Sequence, residues 1–262
     1  MAKNQADNLV QLPTEAGSRF YKTHTGLKVP SVTTILGVIA KPALIPWAAN
    51  VEREAVMAAV YRAYEEISEI TDTLLPLDDF MESVEGQLTL EKAYQQKLRR
   101  AGSIGTNVHK RIEWEFKAEQ GKQKGTAPIL QTADAERSFE RFEEWRKETK
   151  LEILDTERKV VSLHGKYAGT LDTLCKINGK VCVLDFKTGK RVYLEALLQN
   201  CGYRMALAEE GIKTETGFVI LLPKTTDDKP FDTVEVPPID TLIEPWLSAI
   251  SLYRFQHGQS NS

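Results

Sequence analysis

Asp172, Asp185 and Lys187 sit where a single hairpin would gather them. Asn178-Gly179 lies between two apolar, β-branched runs, and Asn-Gly is the pair that a two-residue type I′ turn prefers. That turn fixes a register. Ile177 faces Lys180, Cys175 faces Cys182, Thr173 faces Leu184, and Asp172 faces Asp185. Counted from the turn, the two aspartates form a non-hydrogen-bonded pair, with Cα atoms about 4.5 Å apart. Alternation puts Lys187 on their face, together with Leu174 and Val183, and puts Leu171, Cys175, Ile177, Leu184 and Phe186 on the other, core-packed face. Two carboxylates at about 5 Å in an effective dielectric near 20 repel by roughly 3 kcal/mol. A divalent cation between them would offset that cost. A bulge that shifts the register, or Asp172 capping a turn at the sheet edge, is the other reading of the pair. Lys187 favours the first. Carboxylates for a hard cation beside an ammonium that reaches a phosphate are what phosphodiester hydrolysis needs.

Other residues acquire meaning only from their surroundings. His109 is a single histidine in a helical pattern, and such residues are usually structural or on the surface. Glu113 lies one turn on and could orient the imidazole or simply be solvated. Glu157, on the strand before the hairpin, could pair with a surface lysine. Gln199 and Tyr203 share a helix face with Glu195, a stripe that would ordinarily face solvent. Lys92, Lys97, Arg99, Arg100, Lys110 and Arg111 run without an interleaved acid and lead into His109. They make either a solvated face or a track for DNA phosphates. Trp47, Trp114, Trp145 and Trp246 read as core or interface before base-stacking platforms.

The elements that must position these residues change period midway. Residues 1–18 read as a flexible tail and residues 19–262 as one domain: a mainly helical layer over 19–150, then a sheet-containing core over 151–256. Arg19–Val29 reads as a hairpin turning near Thr25-Gly26. Ser31 caps a helix over Val32–Ile39, which Pro42 and Pro46 end. Helices are expected over Trp47–Ile70, Asp79–Arg100, Ile104–Glu119 and Ala133–Lys150, with Gly102 and Gly105 as punctuation. Strands follow over Ile153–Val161, Ala168–Ile177 and Lys180–Phe186. Next come a helix over Leu194–Glu210, strands over Gly217–Leu222 and Phe231–Val236, and a helix over Thr241–Phe255. The fold class is α/β, a central mixed sheet flanked by helices with an N-terminal helical layer.

With the motifs placed, a resemblance becomes visible. Gly169-Thr170-Leu171-Asp172 followed after a short hairpin by Asp185-Phe186-Lys187 resembles the PD-(D/E)XK nuclease superfamily. Gly105-Thr106-Asn107-Val108-His109 looks like the G-x-x-x-H helix of its RecB-like branch, and Gln199 to Tyr203 matches that branch's Q-x-x-x-Y helix. Pro30 to Leu36 is similar to the opening helix of phage and mitochondrial genome maintenance-type exonucleases. The resemblance implies an αβββαβ restriction-endonuclease-like core that cuts DNA, as an exonuclease on single strands or ends, with Mg²⁺ or Mn²⁺. It implies Asp172, Asp185, His109 and the Phe186 carbonyl as metal ligands, and Lys187 on the phosphate charge. Glu157, Gln199 and Tyr203 would support them. Glu113 is a further supporting candidate from its place one turn after His109, and Lys97, Arg99, Arg100, Lys110 and Arg111 are the DNA-contact candidates because they lead into the site. A helicase or recombination partner is the further expectation. Iron–sulfur relatives carry four cysteines flanking the domain; this chain lacks them, so no cluster is expected.

Composition limits the rest. The chain has 262 residues, a net charge of −3 and three cysteines, Cys175, Cys182 and Cys201. An odd count without metal-site spacing fits a reducing compartment, with Cys175 and Cys182 as facing thiols. No apolar run is long enough to span a bilayer, and Met1 to Val10 lacks a signal core, so the expected place is cytoplasmic, including a host cytoplasm if phage-encoded. Two rivals remain: an inactive nucleic-acid-binding or assembly protein on this fold, and a non-nuclease metal hydrolase. The second lacks any H-E-x-x-H pattern.

Overall fold

The computed structural model describes residues 9–15, 17–70, 76–88, 91–225 and 230–258. It divides into two compact units, Met1–Ile39 with Ile104–Ser262, and Ala40–Ser103.

The larger unit is built on a five-stranded sheet of order β4-β5-β6-β7-β8: Leu151–Ser162, Tyr167–Ile177, Lys180–Lys187, Thr216–Leu221 and Asp232–Glu235. The sheet is mixed. β6 and β7 run parallel because helix α6, Leu194–Glu209, crosses between them, and the other neighbours are antiparallel. Helix α5, Ala133–Glu148, precedes β4, so the order α5-β4-β5-β6-α6-β7 is the expected αβββαβ. Each face is closed by helices. On one, Val108, Ile112 and Phe116 of α4 (Ala93–Glu119), with Phe139, Phe142 and Trp145 of α5, pack on Cys182, Leu184, Phe186 and Ile220. On the other, α6 and α7 (Ile239–Gln256) bury Leu198, Leu207 and Trp246 against Val160, Leu171, Leu174, Val183 and Val219. This is the mixed sheet flanked by helices that the pattern called for.

The β5–β6 turn is as the Asn-Gly pair requires, with Asn178 at φ 51° and Gly179 at φ 79°. The register follows the expectation from Ile177↔Lys180 to Thr173↔Leu184 and stops there. Asp172 and Asp185 are not a ladder pair, because the Asp172 carboxylate itself takes the Phe186 N–H at 2.8 Å. Leu171 then packs with Leu174 and Val183, not with Cys175 and Phe186 as strict alternation would have it.

A small antiparallel sheet, β1-β2-β3 over Val10–Gln11, Phe20–Lys22 and Lys28–Pro30, lies ahead of α1, Val32–Ile35, and a 3₁₀ turn, Leu36–Val38. Ser31 caps α1 as expected, its Oγ accepting from the Thr34 N–H at 2.9 Å. The tail expected over residues 1–18 lies outside the described residues for 1–8 and 16. Within it, Leu9 is buried with Tyr21, Val29, Val161 and Ala168, and its carbonyl accepts from Lys159 Nζ, so Val10–Gln11 are held as a strand.

The smaller unit contains α2, Leu44–Ile70, α3, Leu77–Gly86, and the first part of α4. Ala59, Ala63 and Val84 form its buried cluster, with Val60 and Phe80 against it. Three boundaries differ from expectation. Pro46 does not end a helix, because it falls in the first turn of α2, where a missing N–H is tolerated. The helix expected over Asp79–Arg100 ends at Gly86. Gly102 and Gly105 lie inside α4, which is uninterrupted. Glycine costs about 1 kcal/mol in a helix, and burying Ile104, Val108, Ile112 and Phe116 at i, i+4 spacing outweighs it.

Candidate active site

Three strands and two helices of the larger unit bring the chemical residues together. α4 presents His109 beside the buried Val108, with 26 % of its side chain exposed. β5 presents Asp172, whose Oδ1 is 3.4 Å from His109 Nδ1. β4 presents Glu157 in a left-handed conformation, φ 49°. A non-glycine residue there is uncommon and held by its surroundings. The β4–β5 ladder pairs Thr156 with Thr173 and Arg158 with Leu171, passing over Glu157 and Asp172 between them. Glu157 and Asp172 therefore face each other across the two strands, and one ligand atom each of His109, Glu157 and Asp172 lie within 4.8 Å of one another.

Asp185 lies beside this group on β6, only 1 % exposed. Lys187 Nζ donates to its Oδ1 at 2.9 Å and lies 2.7 Å from its Oδ2 as an ion pair. The second contact lacks hydrogen-bond geometry, so Oδ2 has no hydrogen-bond partner. Lys187 Nζ also donates to Gln199 Oε1 at 3.2 Å, and Gln199 Nε2 donates to the Tyr203 hydroxyl at 3.0 Å. Gln199 and Tyr203 on α6 thus face the site and not solvent. The Tyr203 ring closes over Gly169, where an added Cβ would stand 2.5 Å from its Cε1.

The electrostatics follow from burying like charges with few cations. Burial, then the Asp172 and Glu113 carboxylates, push Glu157 up to about 7. Burial alone would lower His109, but the Asp172 carboxylate raises it to about 9. Burial raises Asp185 to about 6 against the pull of Lys187. Asp172 is buried too, yet His109, Lys187 and the Phe186 N–H hold it below the usual carboxylate range. Lys187 is lowered by burial but raised overall by Asp185 and Asp172. The site therefore binds protons where a cation would serve. An imidazole, two converging carboxylates and an orphaned buried carboxylate oxygen fit a divalent ion that accepts nitrogen and oxygen ligands.

The remaining expected residues divide. Glu113 is paired with Lys117 and not with His109. Phe186 offers its N–H to Asp172 and its ring to Phe116, Phe142 and Trp145. Lys97 pairs with Glu54 at 3.4 Å and Arg99 with Glu91 at 2.8 Å. Arg100 and Lys110 are exposed. Arg111 is committed to Glu115 and the Pro128 carbonyl. Cys175 and Cys182 are buried free thiols with sulfurs 3.5 Å apart. Trp145 and Trp246 are core residues, and Trp114 Nε1 donates to the Gly125 carbonyl. Tyr21 was not foreseen: fully buried on β2, its hydroxyl lies 3.1 Å from Thr170 Oγ1, two residues before Asp172. A three-residue strand gives no periodicity by which to find it. Among the described residues no helix is long and apolar enough to cross a membrane.

No protein-family profile and no curated protein sequence matches the chain. Among solved structures, it is similar to a provisionally named exonuclease from Eubacterium rectale, with 16 % identity, a TM-score of 0.42 and coverage of 70 % of this chain and 74 % of that one. It is also similar to the protein SSO0001, with 13 % identity, a TM-score of 0.29 and coverage of 56 % and 74 %. The chemistry of the site rests on its own geometry.

Proposed function

We propose that the chain is a divalent-metal-dependent nuclease that hydrolyses phosphodiester bonds of DNA, acting as an exonuclease on single strands or ends. The observation that carries this reading is the convergence of His109, Glu157 and Asp172 within 4.8 Å, beside the Lys187–Asp185 ion pair. His109, Asp172 and Asp185, with the Phe186 carbonyl, would hold the cation, and Glu157 would add a carboxylate. The ion would supply Lewis acidity toward a phosphoryl oxygen and an attacking water. Lys187 places a positive charge where a phosphate's charge grows in the transition state. Gln199 and Tyr203 keep the ammonium in place, and the apolar residues behind Phe186 limit water. The preference for ends follows the resemblance seen in the sequence.

The test is incubation with end-labelled linear and circular single-stranded DNA in Mg²⁺, Mn²⁺ or EDTA. Linear DNA should be degraded with either ion, with Mn²⁺ at least as effective because an imidazole ligand suits it better than Mg²⁺. The circle should resist. Rapid nicking of the circle would make the enzyme an endonuclease. Full activity in EDTA would end the metal reading, and binding without cutting in any metal would make the chain a nucleic-acid-binding protein.

A further inference from the structure

The loop between β6 and α6, residues 188–193, begins immediately after Lys187. Lys190 and Arg191 are exposed there, and Tyr193 is 53 % exposed. The Arg191 guanidinium stacks over the Tyr193 ring at 4.8 Å. Among the described residues, neither Lys190 nor Arg191 has a hydrogen bond or an ion pair. Lys97, Arg99 and Arg111, by contrast, are already on carboxylates. A cation that holds no carboxylate meets a phosphate without first breaking an ion pair. Tyr193 precedes α6 as its N-cap and makes no side-chain capping bond, so its ring has no evident structural task. Val192 between the two is packed against the core, which anchors the loop near its α6 end.

Both ends of the loop are tied to the candidate site, since Lys187 bonds Gln199 of α6 at 3.2 Å. Arg191 is four residues beyond Lys187, so its Cα lies at most roughly 14 Å from that of Lys187. That is within a few nucleotides of a phosphate held there. The loop also leaves the carboxyl end of β6 beside the parallel β7, the edge at which open α/β sheets bind ligands.

We infer that this loop is a binding surface for single-stranded polynucleotide, with Lys190 and Arg191 on backbone phosphates and Tyr193, backed by Arg191, under a base. The inference rests on the nuclease reading of the adjoining site. Exposed aromatic rings flanked by cations are the general means of holding single strands without sequence preference.

The test is equilibrium binding of fluorescent single-stranded DNA and RNA of one sequence, by anisotropy in Ca²⁺ across a salt series, with cleavage of the DNA by the unsubstituted chain followed in parallel. Lys190→Ala combined with Arg191→Ala should weaken binding and reduce the log–log salt slope by about 1.4, at roughly 0.7 per single-strand phosphate lost. Tyr193→Ala should weaken binding roughly 5- to 150-fold with little change in slope, and Tyr193→Phe should restore it. Lys180→Ala, an exposed lysine at the other end of β6, should bind as the parent does. The DNA and RNA arms decide which polynucleotide the loop accepts. If the loop variants bind as the parent does while the parent cleaves DNA, the loop inference is overturned and the nuclease reading stands. Equal weakening by Lys180→Ala would likewise overturn it, as a general charge effect. If the parent neither binds nor cleaves, both fail.

Discussion

On the proposed reading Lys187 has two tasks, which one substitution tests together. Its ammonium is two residues beyond Asp185 and bonds both that carboxylate and Gln199. Lys187→Ala should lower kcat about 10²–10³-fold with a smaller effect on affinity, the loss expected for a single electrostatic donor aimed at transition-state charge. It should also lower stability without metal, because Asp185 would be left buried without its cation. Breaking a buried pair from one side costs about 3–5 kcal/mol, toward the low end here because 33 % of the Lys187 side chain still meets water. Single-turnover cleavage and thermal denaturation in EDTA separate the two effects; an unchanged rate would remove Lys187 from catalysis. The same pairs revise the expectation of repulsion between the aspartates. Facing carboxylates alone would make Asp172→Asn and Asp185→Asn stabilising in the metal-free chain. The structure sets a cation against each, His109 for Asp172 and Lys187 for Asp185. Asp172→Asn should therefore melt lower in EDTA, with a loss of about 1–3 kcal/mol for the bond to a charged group, because His109, Lys187 and the Phe186 N–H hold that carboxylate below its usual range. Asp185→Asn should not melt lower above about pH 6, because burial already raises that carboxyl to about 6. Neither should cut. Higher melting of both would show that repulsion dominates after all.

At the scale of elements, what was legible in the sequence was what local chemistry determines. A two-residue turn at Asn178-Gly179 dictates its own register, and that register holds for the pairs from Ile177↔Lys180 to Thr173↔Leu184. It ends before Asp172, whose side chain takes the Phe186 N–H; on the neighbouring strand, no local pattern announces the positive φ of Glu157. The first departure lies within the hairpin itself, and both lie in the site. Strict alternation could find the residues of the site but not their arrangement, and it put Leu171 on the wrong face. Helix α4 shows the same limit: glycine signals were read as breaks, yet burial of one face keeps the helix whole. Gly169 was legible as part of a motif, and its physical reason is the Tyr203 ring. Gly169→Ala would force a methyl to 2.5 Å from Tyr203 Cε1. Overpacking of this kind costs about 1–3 kcal/mol, and displacing Tyr203 would loosen Gln199 and hence Lys187. Cleavage should fall along with stability, and Tyr203→Leu in the Gly169→Ala background should recover stability without restoring the rate. Recovery of both would show that the Tyr203–Gln199 link has no part in placing Lys187.

For the molecule as a whole, a net charge of −3 makes a weak overall field, so the pH dependence of stability should be governed by the site. Glu157 titrates near 7 when folded and 4.5 ordinarily, so between those values the folded chain holds a proton that the unfolded chain releases. Stability falls as pH rises through that window. His109, at about 9 against 6.5, has the same sign between about pH 6.5 and 9, and Asp185, at about 6 against 3.8, has it at lower pH. Asp172 is depressed, so its contribution is present above its ordinary value of 3.8 and is constant across these windows. Without metal, the melting temperature should therefore decline from about pH 5 to about pH 9. A cation takes the same ligands only after they lose their protons, so its binding should release protons and tighten with rising pH. The stabilisation by saturating Mn²⁺ or Mg²⁺ should grow over the range in which the metal-free chain weakens. Melting curves at several pH values, with EDTA and with Mn²⁺, measure both trends. A metal-free melting temperature that rises from pH 5 to 9, or a Mn²⁺ shift that shrinks over it, would mean that His109, Glu157 and Asp185 do not form the protonated cluster from which a cation site is made.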